Sequence, residues 1–243
     1  MRIRILTLFP ALMEHYFLEG IPRRAVEEGH LEIVVENIRD YSTNKHRKAD
    51  DYPYAEGAGM VLLAQPLFDA LRHDSGHVIH LSPRGHLLTQ KKVQELAEHE
   101  EITLICSHYE GLDQRVIDKW VDEEISIGDY VLSGGELAAL VLIDALMRCL
   151  PGVIAEESLE EESHVAGLLE YHHYTRPEEF EGMKVPEILL SGHHQHIRDY
   201  RLEEQVRLTL QRRPDMIAKG LQEGVYPEKV IKLIRKLSKE DIS

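Results

Sequence analysis

Three short stretches between residues 77 and 150 pair a strand-like run or a strand-end loop with a following helical pattern, and this alternation constrains the fold more than any other feature. Val78-Ile79-His80-Leu81 empties into Ser82-Pro83-Arg84-Gly85-His86, and Ile102-Thr103-Leu104-Ile105-Cys106 empties into Ser107-His108-Tyr109-Glu110-Gly111. Helical patterns follow at Thr89 to His99 and Asp113 to Trp120. A third polar loop, Ser126 to Leu137, opens directly onto the apolar helix pattern of Ala138 to Leu150. Further strand-like runs at Arg2 to Phe9 and Leu31 to Asn37 alternate with helical patterns near Pro10 and Ile21. The alternation predicts an α/β unit built on a parallel sheet. It also brings the three loops to the carboxyl edge of that sheet, where such folds bind ligands.

The third loop carries glycine at 128, 134 and 135, which permits positive φ and close approach of another group to the backbone. That composition suits a loop wrapping a small molecule with main-chain N–H and C=O groups. Ser133 and Glu136 stand in capping-box spacing, so the helix is expected to begin where the loop ends. Alone, the segment reads as an ordinary turn and N-cap rather than a ligand site; its two companion loops change that weighting. None of the loops matches the dinucleotide fingerprint or the P-loop pattern, so a plain nucleotide-phosphate site is not expected.

With 243 residues the chain can bury a full core as one large domain or two smaller ones. Cys106 and Cys149 lie inside apolar runs and read as buried thiols in a reducing cytoplasm. No run approaches the length of a membrane helix, and Met1 to Phe9 alternates like a strand without a signal-peptide cleavage pattern, so a cytoplasmic protein without a membrane partner is expected. The net charge of −15 runs against the usual balance of nucleic-acid binders. Its distribution matters more: Glu95 to Glu162 holds 3 basic and 18 acidic residues, whereas Arg198 to Lys239 holds 11 basic and 6 acidic. A locally basic C-terminal region can contact phosphates while acidic surface elsewhere suppresses non-specific binding; solvated helix faces explain the same counts. Ala155 to Glu162, with five Glu and no aromatic residue, reads as a linker. Beyond it, helical patterns at Tyr200 to Gln211, Pro214 to Gln222 and Pro227 to Leu237 make a small helical domain with no sheet of its own.

These segments together carry a family resemblance. The three loops are similar to those of the SPOUT methyltransferases, in particular the bacterial tRNA (guanine-N1)-methyltransferases that modify the guanosine just 3′ of the anticodon. The likeness includes His46-Arg47-Lys48-Ala49-Asp50-Asp51, Gly57-Ala58-Gly59-Met60 and Gln65-Pro66-Leu67. It continues through Gly167-Leu168-Leu169, His173-Tyr174-Thr175-Arg176-Pro177, Val185-Pro186, Leu189-Leu190-Ser191-Gly192 and Arg212-Arg213-Pro214, in the family's order over nearly the whole chain.

The resemblance implies an α/β fold with a SPOUT-type parallel sheet tied in a trefoil knot, a rare exception to the unknotted rule, plus a small all-helical C-terminal domain. It divides the chain into a cofactor-binding domain (1–154), a flexible linker (155–171) and a helical tRNA-binding domain (172–243). It implies a homodimer whose active sites combine the knot of one subunit with the linker and C-terminal domain of the other. The implied cofactor is S-adenosylmethionine, lined by Leu81, Ser82, Pro83, Ser107, Tyr109, Glu110, Gly111, Ser126, Ile127, Gly128, Asp129, Tyr130, Val131, Leu132, Gly134 and Gly135. The implied tRNA contacts are His46, Arg47, Asp50, His173, Tyr174, Arg176, Arg212 and Arg213.

Guanine N1 carries a proton and is a poor nucleophile at neutral pH, so the implied reaction needs a general base; a positioned one commonly contributes on the order of 10²–10⁴ in rate. Glu170 follows Gly167-Leu168-Leu169 where the family places a catalytic carboxylate, often Asp, and is the candidate base. Glu110 is the second carboxylate expected near the methyl group, and a Mg²⁺ ion held there with the substrate is the further cofactor the resemblance allows. Negative charge developing on guanine O6 asks for a nearby donor; no basic residue occurs from Ala155 to Glu162, which leaves Arg176 or His173. The chain departs from many relatives at Ser107-His108, in place of Gly-Arg, at Ala55-Glu56, and at His172. A non-catalytic S-adenosylmethionine- or RNA-binding relative therefore stands as the alternative, while retention of Glu110, Tyr130, Glu170 and Tyr174-Thr175-Arg176-Pro177 favours the enzyme. His172-His173 and His193-His194-Gln195-His196 lack the i, i+4 pairing of a zincin and any cysteine partner, so no metal ligands are assigned and a zinc hydrolase is the weaker reading.

Overall fold

A computed structural model of the chain describes residues 1–55, 59–72, 75–155, 163–164 and 167–240. The sequence readings at Glu56, Gly57 and Ala58 and most of the acidic linker lie outside the described residues. The chain divides into two units, Met1–Ile154 and Ala155–Ser243.

The first unit runs β1 (Arg2–Thr7), α1 (Pro10–Glu14), α2 (Gly20–Glu27), β2 (Glu32–Asn37), a short β3 (Asp50–Asp51) and β4 (Val61–Leu62), then α3 (Ala64–Leu71). It continues with β5 (His77–Leu87), α4 (Gln90–Leu96), β6 (Glu101–Cys106), α5 (Gln114–Trp120), β7 (Glu123–Ser126) and α6 (Glu136–Cys149). Five strands form a parallel sheet in the order β2-β1-β6-β5-β7. Its strands alternate apolar residues between two buried faces, as parallel sheets covered on both sides do. Ile3, Ile5, Ile79, Ile102, Leu104 and Ile125 pack against Met13, Ala25, Leu96, Leu142 and Leu146. Leu6, Val78 and Ile105 face Leu67, Leu71 and Val116 on the other side. Arg4 lies on that second face; its guanidinium donates to Glu36 at 2.6 and 2.9 Å and to the Ala70 carbonyl at 2.8 Å, which makes a buried charge tolerable.

Thr89 and Asp113 cap α4 and α5 by accepting from the backbone N–H of Lys92 and Arg115. The capping box expected at α6 does not form. Gly135 is the N-cap and no side chain caps the helix; Glu136 turns inward instead. Two other readings are corrected. Ser82 to His86, read as a strand-end loop, lies within β5, whose pairing with β7 slips so that both Leu81 and His86 face Ile125. Gly85 makes this possible: a Cβ there would stand 2.4 Å from Glu124 C and Ile125 N. β7 itself was not expected, because its two glutamates hide a strand whose charges find partners in His77, Lys92 and His80. Cys106 is buried, but Cys149 is only half-buried.

The second unit contains a two-residue hairpin, β8 (Glu179–Phe180) and β9 (Met183–Lys184), then α7 (Glu187–Leu190), α8 (His194–Arg212), α9 (Pro214–Glu223) and α10 (Glu228–Glu240). The hairpin corrects the expectation of a helical unit with no sheet. Its turn residues Glu181 and Gly182 both have positive φ, +50° and +77°, as the type I′ turns common in two-residue hairpin loops require. Leu168, Val206, Ile217, Tyr226, Val230, Ile234 and Leu237 form this unit's own core. The Tyr226 hydroxyl donates to the Gly167 carbonyl at 2.7 Å, and its ring lies where a side chain at Gly220 would stand, 2.4 Å from that position.

Candidate functional site

β5 lies between β6 and β7 in the sheet, so its middle, His80 to Arg84, meets the segments that follow β6 and β7 over a cleft of ≈ 260 Å³. Its walls are Leu81 to Pro83, Ser107, Tyr109 to Gly111, Ser126 to Gly128, Tyr130 to Leu132, Gly134 and Gly135. Of the residues read as a cofactor pocket, Asp129 alone does not line it. His80, Arg84, His108, Ile125, Ser133 and Ala138 complete the lining.

Main-chain geometry shapes the walls. The Gly135 N–H donates to the Ser107 carbonyl at 2.9 Å, and a Cβ at Gly135 would lie 2.9 Å from Cys106 Cα. At Gly128 a Cβ would stand 2.4 Å from the Tyr130 ring, while the Tyr130 N–H closes a turn onto the Gly128 carbonyl at 2.9 Å. Ser126 Oγ donates to that same carbonyl at 3.1 Å. Tyr109 and Gly111 adopt positive φ, +58° and +104°, and the Gly111 N–H returns to the His108 carbonyl at 3.0 Å. Glu110 is exposed at the rim, its N–H held by the Met60 carbonyl at 3.0 Å and its side chain against Gly59. The result is a cleft lined by backbone groups, small residues and the apolar side chains of Leu81, Ile127, Val131 and Leu132, suited to a small-molecule ligand.

Beneath it runs a buried polar chain. Glu136, 3% exposed, accepts from Thr7 Oγ1 at 2.6 Å and from His108 Nε2 at 2.7 Å. His108 in turn packs edge-on to Phe9, ring centroids 4.8 Å apart. Burial, together with the Glu136 charge, pushes the Cys106 thiol well above its ordinary pKa, so it is an inert packing group and not a nucleophile. A second chain links Glu124 Oε1, His80 Nδ1 and Nε2, and Ser107 Oγ, each contact 2.8 Å. Desolvation lowers the His80 pKa below its ordinary value despite the neighbouring Glu124.

The residues read as tRNA contacts fall in three places. His46, Arg47 and Asp50 lie on or beside one exposed loop of the first unit, where Arg47 pairs with Asp40 at 3.2 Å. His173, Tyr174 and Arg176 line a cleft of ≈ 880 Å³ in the second unit with Tyr171, Leu189, Leu190 and Arg201. Arg212 and Arg213 stand outside that cleft at the end of α8, and Arg213 is already engaged by Asp215 through two hydrogen bonds of 2.6 and 2.9 Å. Glu170 is half-buried; its N–H donates to Ser163 Oγ at 2.9 Å, and its Oε1 accepts from His173 Nε2 at 2.8 Å. Among the described residues, no group of three or more His, Cys, Asp or Glu could hold a metal ion.

A family profile described as tRNA (Guanine-1)-methyltransferase TrmD matches residues 1–219. The chain belongs to this family. It is 51% identical over 228 residues to the tRNA (guanine-N(1)-)-methyltransferase of Clostridioides difficile (strain 630), a match covering 90% of this chain and 99% of that relative. It is 50% identical to the proteins of the same name from Clostridium perfringens (strain SM101 / Type A), covering 100% of this chain and 98% of the relative, and from Chloroflexus aurantiacus, covering 98% and 96%.

Within this member of the tRNA (Guanine-1)-methyltransferase family, sequence reasoning missed His80, Glu124, Glu136 and Thr7 as parts of the cleft's support. The available signal was a polar residue inside an apolar strand run, His80 between Ile79 and Leu81. Nothing in the local pattern around Glu136 separated a helix cap from an inward acceptor.

Proposed function

We propose that the protein transfers a methyl group from S-adenosylmethionine to guanine N1 of tRNA, at the guanosine 3′ of the anticodon. The observation that carries this reading is the convergence of the middle of β5 and the segments after β6 and β7 on one cleft, in a chain whose family match runs from the first unit into the second. The cleft fits the cofactor: small residues at Gly128, Gly134 and Gly135 leave the main chain accessible, and Leu81, Ile127 and Leu132 offer apolar surface for a purine. When bound, S-adenosylmethionine supplies the methyl group.

Glu170 acts as the general base. His173 Nε2 donates to Glu170 Oε1, which orients the carboxylate and leaves Oε2 to take the N1 proton. Arg176, on the same loop as His173, supplies a cation for charge growing on guanine O6. The protein works as a homodimer in which the cleft of one subunit is completed by the partner subunit's Glu170. The first unit is tied in a trefoil knot; the close backbone packing at Gly85 and Gly135, where a Cβ would approach within 2.4 and 2.9 Å, supports this reading by letting main-chain segments lie close together. The 172–243 segment docks tRNA through its basic helices. For a Mg²⁺ ion, Glu110 is the carboxylate the cleft offers among the described residues, so most ligands would come from the substrate and water. No helix among the described residues is long and apolar enough to cross a membrane, and a cytoplasmic site of action suits a tRNA substrate.

The test is incubation of purified protein with methyl-labelled cofactor and unmodified tRNA carrying guanosine at that position, followed by nucleoside analysis. Label in 1-methylguanosine is the expected result. Cofactor binding without transfer to any tRNA would overturn the enzymatic reading.

A further inference from the structure

We propose that Ser107 is a fixed hydrogen-bond acceptor in the cleft, held in that role by His80 and Glu124, and that it selects for a donor group on the bound ligand. The inference rests on the reading of the cleft as the cofactor site and goes beyond it by assigning a specificity residue and its positioning partner.

The hydrogen-bond partners fix where the protons sit. A carboxylate only accepts, so His80 Nδ1 carries a hydrogen toward Glu124 Oε1, 2.8 Å away. His80 is 2% exposed, and desolvation keeps its imidazole on the neutral side, which leaves Nε2 bare. Ser107 Oγ, 2.8 Å from Nε2, must therefore donate. A hydroxyl has one hydrogen and two lone pairs; with the hydrogen committed, only lone pairs face the cleft. Ser107 is also fixed through its main chain, because its carbonyl accepts the Gly135 N–H at 2.9 Å. The charged groups bearing on His80 are Glu124 from β7 and Arg84 from its own strand, the latter 3.5 Å from Glu124 Oε1.

An isolated serine would turn its hydroxyl to suit either a donor or an acceptor. Here it is committed. A ligand presenting an amino, ammonium or hydroxyl hydrogen to Ser107 is favoured, and one presenting a carbonyl or carboxylate oxygen meets lone pairs. S-adenosylmethionine carries three kinds of donor: the adenine 6-amino group, the ribose hydroxyls and the α-ammonium.

Calorimetry on the full-length protein tests this with S-adenosylmethionine and with analogues lacking one donor at a time. Ser107→Ala is expected to weaken the intact ligand about 3- to 10-fold, the effect of one neutral hydrogen bond, and to leave unchanged the affinity for the one analogue that lacks the partner donor. His80→Phe keeps a buried ring but frees the Ser107 hydroxyl to turn, and should remove the wild-type discrimination against an analogue that presents an acceptor in place of the partner donor. His80→Gln, whose Oε1 can accept the serine proton, should restore it; a merely structural role for His80 would not produce this rescue. Wild-type affinity of Ser107→Ala for every ligand, with binding abolished in Gly128→Val, would overturn the acceptor role while leaving the cleft reading intact. Binding of S-adenosylmethionine that survives Gly128→Val would instead remove the cleft reading, and this inference with it.

Discussion

Replacing Glu136 by alanine should unfold the first unit at a markedly lower denaturant concentration, although Glu136 stands at the start of a helix, where acidic residues are usually worth little. As an exposed first-turn acid, it would contribute about 0.3–1 kcal/mol through the helix dipole. The structure gives it a different environment: 3% exposed, accepting from Thr7 Oγ1 at 2.6 Å and His108 Nε2 at 2.7 Å. Hydrogen bonds to a charged group are worth roughly 1.5–3 kcal/mol each, and their loss leaves two donors without acceptors in a dry site. Glu136→Ala is therefore expected to cost about 3–5 kcal/mol, and Glu136→Gln about 1–3 kcal/mol, because the amide keeps one acceptor but turns an N–H toward the other donor. The assay is specific to the unit. The chain has one tryptophan, Trp120 in α5, packed edge-on to Phe68 with ring centroids 6.0 Å apart, so its fluorescence in urea reports unfolding of the first unit alone. A loss below about 1 kcal/mol for Glu136→Ala would refute the buried-acceptor argument and return Glu136 to the role of an ordinary helix-end acid.

Gly128→Val should abolish S-adenosylmethionine binding by calorimetry while leaving Trp120-monitored unfolding cooperative, since a Cβ there meets the Tyr130 ring at 2.4 Å and pushes it into the cleft. Glu170→Gln should retain cofactor and tRNA binding but lose about 10²-fold or more in single-turnover transfer, with Glu170→Asp keeping measurable activity; near-normal transfer by the glutamine variant would point to Glu110 as the proton acceptor. Mixing and refolding the Gly128 and Glu170 variants should restore activity through one intact site per heterodimer, and inactive heterodimers would place the whole site within one subunit. Because His80 binds its proton less readily folded than unfolded, stability should rise with pH through the window just below 6.5 and fall as the pH drops through it; urea midpoints measured against pH should show a weaker slope in His80→Phe.

Much of the first unit was legible because its strands are apolar on both faces: Arg2 to Thr7, Glu32 to Asn37 and Glu101 to Cys106 fall within a residue or two of where the runs of Val, Ile and Leu put them. The strand Glu123 to Ser126 was not, since two of its four residues are acidic. Its charges are tolerated through His77, His80 and Lys92, which are 31 to 46 positions away in the chain and invisible to a local window. The segments around the cleft stood out through their glycines and small polar residues. What supports them did not: Thr7 reaches Glu136 across 129 positions, and His80 of β5, Glu124 of β7 and Ser107, just after β6, are brought together by sheet order. Sequence spacing reads neighbours along a helix or strand well, and contacts made by sheet order hardly at all.

The cleft's construction from three separate main-chain segments also bears on how long the protein lasts in a cell. A ligand seated between the middle of β5 and the ends of β6 and β7 touches segments 81–83, 107–111 and 126–135 at once, and these separate when the first unit opens. Anything bound there favours the closed chain by RT ln(1 + [L]/Kd), about 2.7 kcal/mol at a hundredfold excess over Kd. Proteolysis of such a chain then tracks the supply of its ligand: when the pool falls, the open fraction rises about a hundredfold and turnover rises with it.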